Sequence, residues 1–150
     1  MEISHEPSQT LEYNLITDGI YIGTSMCCQI HFNELLKEKE GIEVDISLQT
    51  ERIDAAQGID FFLWLPVKNL SAPTQEQLSV GVSTIEKFVS LGKKIYVHCM
   101  NGHGRAPTLV AAYLVAKGKS VDEAIEFIKS KRPMIHLEDE QIDVLNKFSS

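Results

Sequence analysis

The sequence predicts an α/β domain with a central four- or five-stranded, mostly parallel sheet flanked by helices. Short apolar runs such as IEVDISL (Ile42–Leu48), FFLWLPV (Phe61–Val67) and KIYVH (Lys94–His98) have the length and β-branched content of buried strands. Between and after them lie longer stretches whose apolar residues recur at helical spacing. A glycine-containing stretch joins the last of these strands to an apolar helix.

Along the chain, DGIYIGT (Asp18–Thr24) reads as a turn followed by a short strand, with Ile20 and Ile22 alternating around Tyr21. Ile30–Glu40 carries Phe32, Leu35 and Leu36 at helical spacing and stops at Gly41. Thr74 opens a helix with Leu78, Val82, Ile85 and Val89 on one side, closing at Gly92. After Lys94–His98 and the stretch CMNGHGR, the helix APTLVAAYLVAKG tolerates Pro107 because a missing N–H costs nothing in a first turn. Leu109, Val110, Ala112, Tyr113 and Val115 form its core stripe. Ser120 and Glu123 make a capping-box pattern ahead of VDEAIEFIKSKR, which stops at Pro133. The last segment, LEDEQIDVLNKF, places Ile142, Leu145 and Phe148 on one side.

A chain of 150 residues is long enough to bury one sizeable core, and 43% hydrophobic with 23% charged residues is ordinary for a globular protein. Residues 1–12 are polar enough to form a loose arm, leaving 13–150 as a single domain. The net charge of −7 argues against broad attraction to nucleic acid or an anionic membrane. The N-terminus has no basic and apolar leader, and no apolar run approaches the roughly 20 residues that span a bilayer, so a cytoplasmic monomer without stable membrane insertion is expected. Cys27, Cys28 and Cys99 are an odd set without framework spacing, which suits reduced thiols.

The chemistry lies in His98-Cys99-Met100-Asn101-Gly102-His103-Gly104-Arg105. At the carboxyl end of a strand in a parallel sheet, a following helix offers unpaired N–H groups and positive dipole character to an anion. Gly102 and Gly104 let the backbone curl so that successive N–H groups converge. Those N–H groups and the Arg105 guanidinium favour the thiolate of Cys99, and thiols in such settings titrate at roughly 3.5–7.5. Arg105 follows Cys99 by six positions, and its planar fork can hold two phosphate oxygens. The expected reaction is in-line attack of Cys99 on phosphorus, stabilisation by Arg105 and the backbone of Met100 to Gly104, and hydrolysis of the cysteinyl phosphate, with no cofactor or metal.

These residues resemble the cysteine-based protein tyrosine phosphatase superfamily, in its small dual-specificity branch, whose motif of His-Cys, five residues and Arg is complete here. LPVKNLSAPTQEQL resembles the family's acid-bearing loop, and LVAAYLVAKGKSVDEAIEFIKSKRP its two following helices. YVHC and LVAAYL resemble mitochondrial phosphatidylglycerophosphate phosphatases, and Ala106-Pro107 resembles plant glucan phosphatases. The resemblance implies a dual-specificity phosphatase-like fold over roughly Tyr13–Phe148. It also implies a phosphorylated protein or small phosphate monoester as substrate, with lipid and carbohydrate phosphates as alternatives. His98 is then expected to shape the loop, His103 to stand at its outer edge, and Gln141 to fall where relatives carry a water-positioning glutamine.

Two positions depart from the family. Where it has a general-acid aspartate about thirty residues before the cysteine, this chain has Asn69, and an amide cannot donate that proton. General acids contribute about 10²–10⁴-fold, so alkyl phosphates should suffer more than aryl ones. Three explanations stand: another acid such as Asp60 or Asp54, an impaired pseudo-phosphatase that binds without turnover, or an Asp→Asn substitution that traps an intermediate. Ala106 replaces the usual Ser or Thr and is expected to slow thiolate departure.

Competing readings are weaker. A metal cluster of Cys99, His98 and His103 lacks a second ligand group nearby and faces a repelling Arg105. A dinucleotide fingerprint fails at Pro107, and no nucleotide-binding G-x-x-x-x-G-K-[ST] occurs. Cys27 and Cys28 read as packing residues, with a redox role toward Cys99 as the alternative. Lys131 and Arg132 read as charges that favour a helix C-terminus.

Overall fold

The computed structural model describes residues 11–25, 32–54 and 58–150. Cys27 and Cys28 lie outside these residues. The strands are β1 (Tyr13–Thr17), β2 (Ile20–Gly23), β3 (Ile42–Gln49), β4 (Phe61–Val67) and β5 (Lys94–His98). The helices are α1 (Phe32–Glu40, wound as a π-type helix), α2 (Gln75–Ser90), α3 (Arg105–Ala116), α4 (Val121–Lys131) and α5 (Asp139–Ser149).

The five strands form one sheet in the order β1-β2-β5-β3-β4. All neighbours run parallel except β1 and β2, which form an antiparallel hairpin. Strand β1 was not anticipated. Its signal was present in Asp18-Gly19, both at positive φ as a tight hairpin turn requires. Glu12, assigned to the loose arm, already exchanges backbone and side-chain hydrogen bonds with Thr24.

Alternation along the strands builds two different faces. Ile20, Ile22, Val44, Ile46, Leu48, Ile95 and Val97 join the main core with the apolar sides of α2 to α5. On the other face, Tyr21, Ile42 and Tyr96 pack with Leu36 of α1. Toward the carboxyl ends of β3 and β5 that second face becomes polar, with Asp45, Ser47, Gln49 and His98 all buried.

The expected capping box of Ser120 with Glu123 opens α4, and two further boxes, Thr74 with Gln77 and Glu138 with Gln141, open α2 and α5. The expectation that Phe61–Val67 is a buried strand needs correction. β4 is the sheet's edge, so Phe61, Phe62 and Trp64 remain 44%, 39% and 37% exposed despite an apolar sequence. Periodicity cannot distinguish an edge from a centre when the chain is apolar on both faces.

Candidate active site

Strand β5 ends at His98 and helix α3 begins at Arg105, so residues 99–104 must turn at the carboxyl edge of the sheet. Gly102 makes that turn at φ +69, where a side chain would also collide with the Gly23 carbonyl at 2.6 Å. Gly104 serves differently, since a Cβ there would stand 2.9 Å from the Gln141 side chain. One glycine is needed for its backbone and the other for close approach.

What shapes the loop is a set of bonds at its back. The carbonyl of Met100 accepts from Ser25 N, that of Asn101 from Arg132 Nη2 and that of Gly102 from Arg132 Nε. In a planar trans peptide the N–H points opposite to the C=O. Turning three successive carbonyls backward therefore turns the N–H groups of Asn101, Gly102 and His103 toward the front, an arrangement that can receive an anion at the start of α3. Arg132 itself is completely buried and also donates to Asn14 Oδ1 at 2.7 Å. Its expected role as a charge favouring a helix terminus is thus replaced by a structural one.

The front of the loop opens into a pocket of about 180 Å³ lined by Asn69, Leu70, Cys99, Asn101, His103, Gly104, Arg105, His136, Glu138 and Gln141. Cys99 lies at its floor, 2% exposed. The Arg105 fork is engaged by Glu51, with Nη1 to Oε1 at 2.7 Å and Nη2 to Oε2 at 2.8 Å, and Nη1 also reaches the Val67 carbonyl. Burial opposes charge on Arg105, but hydrogen bonding to Glu51 and the nearby Cys99 sulfur outweigh it and raise its pKa. Arg105 reciprocally pulls the Glu51 carboxyl down to about 2. The guanidinium is therefore a fixed cation beside the sulfur, held by an acid that stays ionised.

Behind Cys99, His98 Nε2 bonds to Asp54 Oδ2 at 2.7 Å and lies 3.0 Å from Asp45 Oδ1, off the hydrogen-bond direction. Burial alone would strip the imidazole of its proton, yet the charges of Asp45 and Asp54 dominate and hold its pKa at about 10. Burial pushes Asp45 the other way, up to about 7, and His98 only partly offsets it. Tyr96 stacks on the ring at 5.3 Å. Asp45, Asp54 and His98 each bring one potential ligand atom within 4.8 Å of the others. Those atoms could meet a divalent cation, but the Nε2 a metal would need is already donated to a carboxylate.

Asn69 stands exposed on the pocket wall in a turn closed by Ser71 N to the Lys68 carbonyl. Gln141 is buried and ties α5 to this turn through Nε2 to the Ser71 carbonyl at 3.0 Å. Ala106, inside the first turn of α3, is fully buried. Asp54 sits with His98 behind the loop. Asp60 precedes β4 and bonds through its N–H to Glu43, at the amino end of the sheet and roughly 23 Å from β4's carboxyl end. Neither lines the pocket.

Sequence reasoning missed Glu51, Asp45, His136 and Glu138. Asp45 carried a weak signal, being with Glu43 one of two charges set between apolar neighbours in β3. The others are polar residues in loops, with nothing local to mark them.

The dual specificity phosphatase catalytic domain model matches residues 20–150. The human phosphatidylglycerophosphatase and protein-tyrosine phosphatase 1 is 44% identical over 77 residues, 51% of this chain and 38% of the human protein. The phosphatidylglycerophosphate phosphatase PTPMT2 of Arabidopsis thaliana is 38% identical over 89 residues, 58% of this chain and 39% of its own. The matched part thus spans less than half the length of these two relatives. Mouse protein tyrosine phosphatase type IVA 3 is 29% identical over 135 residues, 87% of this chain and 68% of the mouse protein. Among solved structures, PTPMT1 in complex with PI(5)P superposes with a TM-score of 0.81 at 28% identity, covering 91% of this chain and 94% of that one. With the strand order, the cysteine at a strand's end and the arginine at the next helix all in place, the chain belongs to the dual specificity phosphatase catalytic-domain family.

Proposed function

We propose that this domain hydrolyses phosphate monoesters of polar aliphatic alcohols through a cysteinyl-phosphate intermediate. One observation carries the reading: sulfur, guanidinium and three forward-facing N–H groups share the floor of one pocket. Cys99 attacks phosphorus in line, Arg105 and the N–H groups of Asn101 to His103 take up the equatorial charge, and water then releases phosphate. Gln141, fixed beside Gly104, is in place to orient that water.

The substrate class rests on the lining. Among the described residues no Phe, Tyr or Trp borders the pocket, so none of them clamps a phenyl ring, while amide, imidazole and carboxyl groups suit a hydroxylated alcohol. A phosphorylated glycerol headgroup is such an ester, and two relatives carry phosphatidylglycerophosphate in their names. A phosphoprotein remains the second substrate reading, because the same human relative is also named a protein-tyrosine phosphatase.

The test is phosphate release in the presence of a metal chelator from 4-nitrophenyl phosphate, phosphatidylglycerophosphate vesicles, and phosphotyrosyl and phosphoseryl peptides. Release is expected from the first two, with Cys99→Ser reducing it to background and vanadate competing. Release equal to the Cys99→Ser control, with vanadate still bound, would instead identify a phosphate-binding module. Faster turnover of the peptides than of the lipid would shift the substrate to phosphoproteins.

A further inference from the structure

We infer that His136, oriented by Glu138, supplies the proton to the leaving oxygen in place of the aspartate that the Asn69 loop lacks; this rests on the cysteinyl-phosphate reading above. No Asp or Glu occurs between Asp60 and Glu76, so the loop on that wall has no acid to offer. Asp54 is held behind the catalytic loop by His98, Asp60 is at the far end of the sheet, and Glu51 is an ionised partner of Arg105. Besides Cys99 and Arg105, the titratable groups lining the pocket are His103, His136 and Glu138.

The chain around His136 is built to present it. Ile135 and Leu137 are buried on either side, so the intervening side chain is turned outward, 76% exposed at the pocket mouth. Its backbone N–H donates to the His103 carbonyl at 2.8 Å, which ties it to the catalytic loop. Glu138 is fixed as the cap of α5 through its own N–H to Gln141 Oε1, and its Oε1 stands 3.7 Å from His136 Nε2. His103 has no such carboxylate beside it among the described residues.

In-line displacement directs the leaving oxygen away from the sulfur, out toward the mouth. As the S–P bond forms and the P–O bond breaks, the imidazolium N–H passes its proton to the departing alkoxide, giving the free alcohol and neutral imidazole. In the second step the same imidazole takes a proton from water as the water oxygen bonds to phosphorus. The electron pair of the S–P bond returns to sulfur, restoring thiolate, imidazolium and free phosphate. An imidazole can both give and take a proton, as this exchange requires.

The test compares His136→Gln and His103→Gln on two esters that differ in need for a proton: glycerol 3-phosphate and 4-nitrophenyl phosphate. His136→Gln is expected to lower kcat/KM on the alkyl ester by about 10²-fold and on the aryl ester by less than about threefold. Equal losses on both esters, no loss on the alkyl ester, or selective loss in His103→Gln alone would overturn the inference. So would a wild-type domain that turns over the aryl ester but never the alkyl one. A wild-type domain inactive on the aryl ester would instead defeat the cysteinyl-phosphate reading itself.

Discussion

Arg105 and Arg132 grip the two sides of one loop, and both are nearly inaccessible to solvent, at 3% and 0%. Arg105 is matched by a carboxylate and stands beside a sulfur; Arg132 is matched mainly by carbonyl oxygens and an amide, with Glu12 a looser partner at 3.4 Å. The first cation is balanced by an ionised carboxylate at the front of the loop, the position from which the proposed function has it meet the phosphate. The second orients two peptide groups of the loop and ties them to the Asn14 side chain. Similar burial therefore conceals different duties, which the type of oxygen around each guanidinium reveals.

The largest expected effect that sharpens this contrast is Arg105→Lys. It keeps the charge for Glu51 but loses the fork, and kcat/KM on 4-nitrophenyl phosphate should fall about 10³-fold, or about 4 kcal/mol, with little change in Tm. Arg132→Met should lower stability as well as activity. Three acceptors, one buried and two part-buried, lose their donor, costing about 3 kcal/mol of stability and lowering Tm by about 10 °C, while kcat falls because the loop N–H groups lose their aim. A variant that kept its Tm within about 2 °C would show that the clamp is dispensable.

A smaller effect concerns Asp45, whose carboxyl rises from 3.8 to about 7 in the fold. A raised value means that the folded state holds the proton more tightly. Its contribution is complete below about pH 4 and is lost as pH climbs toward 7. Asp45→Asn mimics the protonated form, so wild type and variant should match near pH 4. The variant should become progressively more heat-stable than wild type by pH 7, by about 1 kcal/mol or more. A Tm difference that stays flat across that range would show that Asp45 is ionised throughout.

The catalytic loop was legible because its parts are contiguous: strand, Cys99, glycines, Arg105 and helix follow one another in fifteen residues or so, and local rules read them together. Its supports were not. Glu51 meets Arg105 across 54 positions, and Asn14 meets Arg132 across 118, distances at which a lone polar residue in a loop carries no pattern. Arg132 was misread for the same reason, since locally it only follows a helix. The helices and the Ser120 cap were legible, the Glu138 cap of α5 was not, and β1 and the exposure of β4 depended on which strand sits beside which.

The supports of the loop also lie late in the chain. Arg132 and Gln141, which hold the backbone of residues 101–104, follow Cys99 by 33 and 42 positions. During synthesis, which delivers the amino-terminal part first, the thiol emerges well before the groups that give its surroundings their shape. A nascent chain stalled between these points would carry the cysteine without the groups that shape the loop around it, so that loop takes its form only after the segment bearing Gln141 has been made.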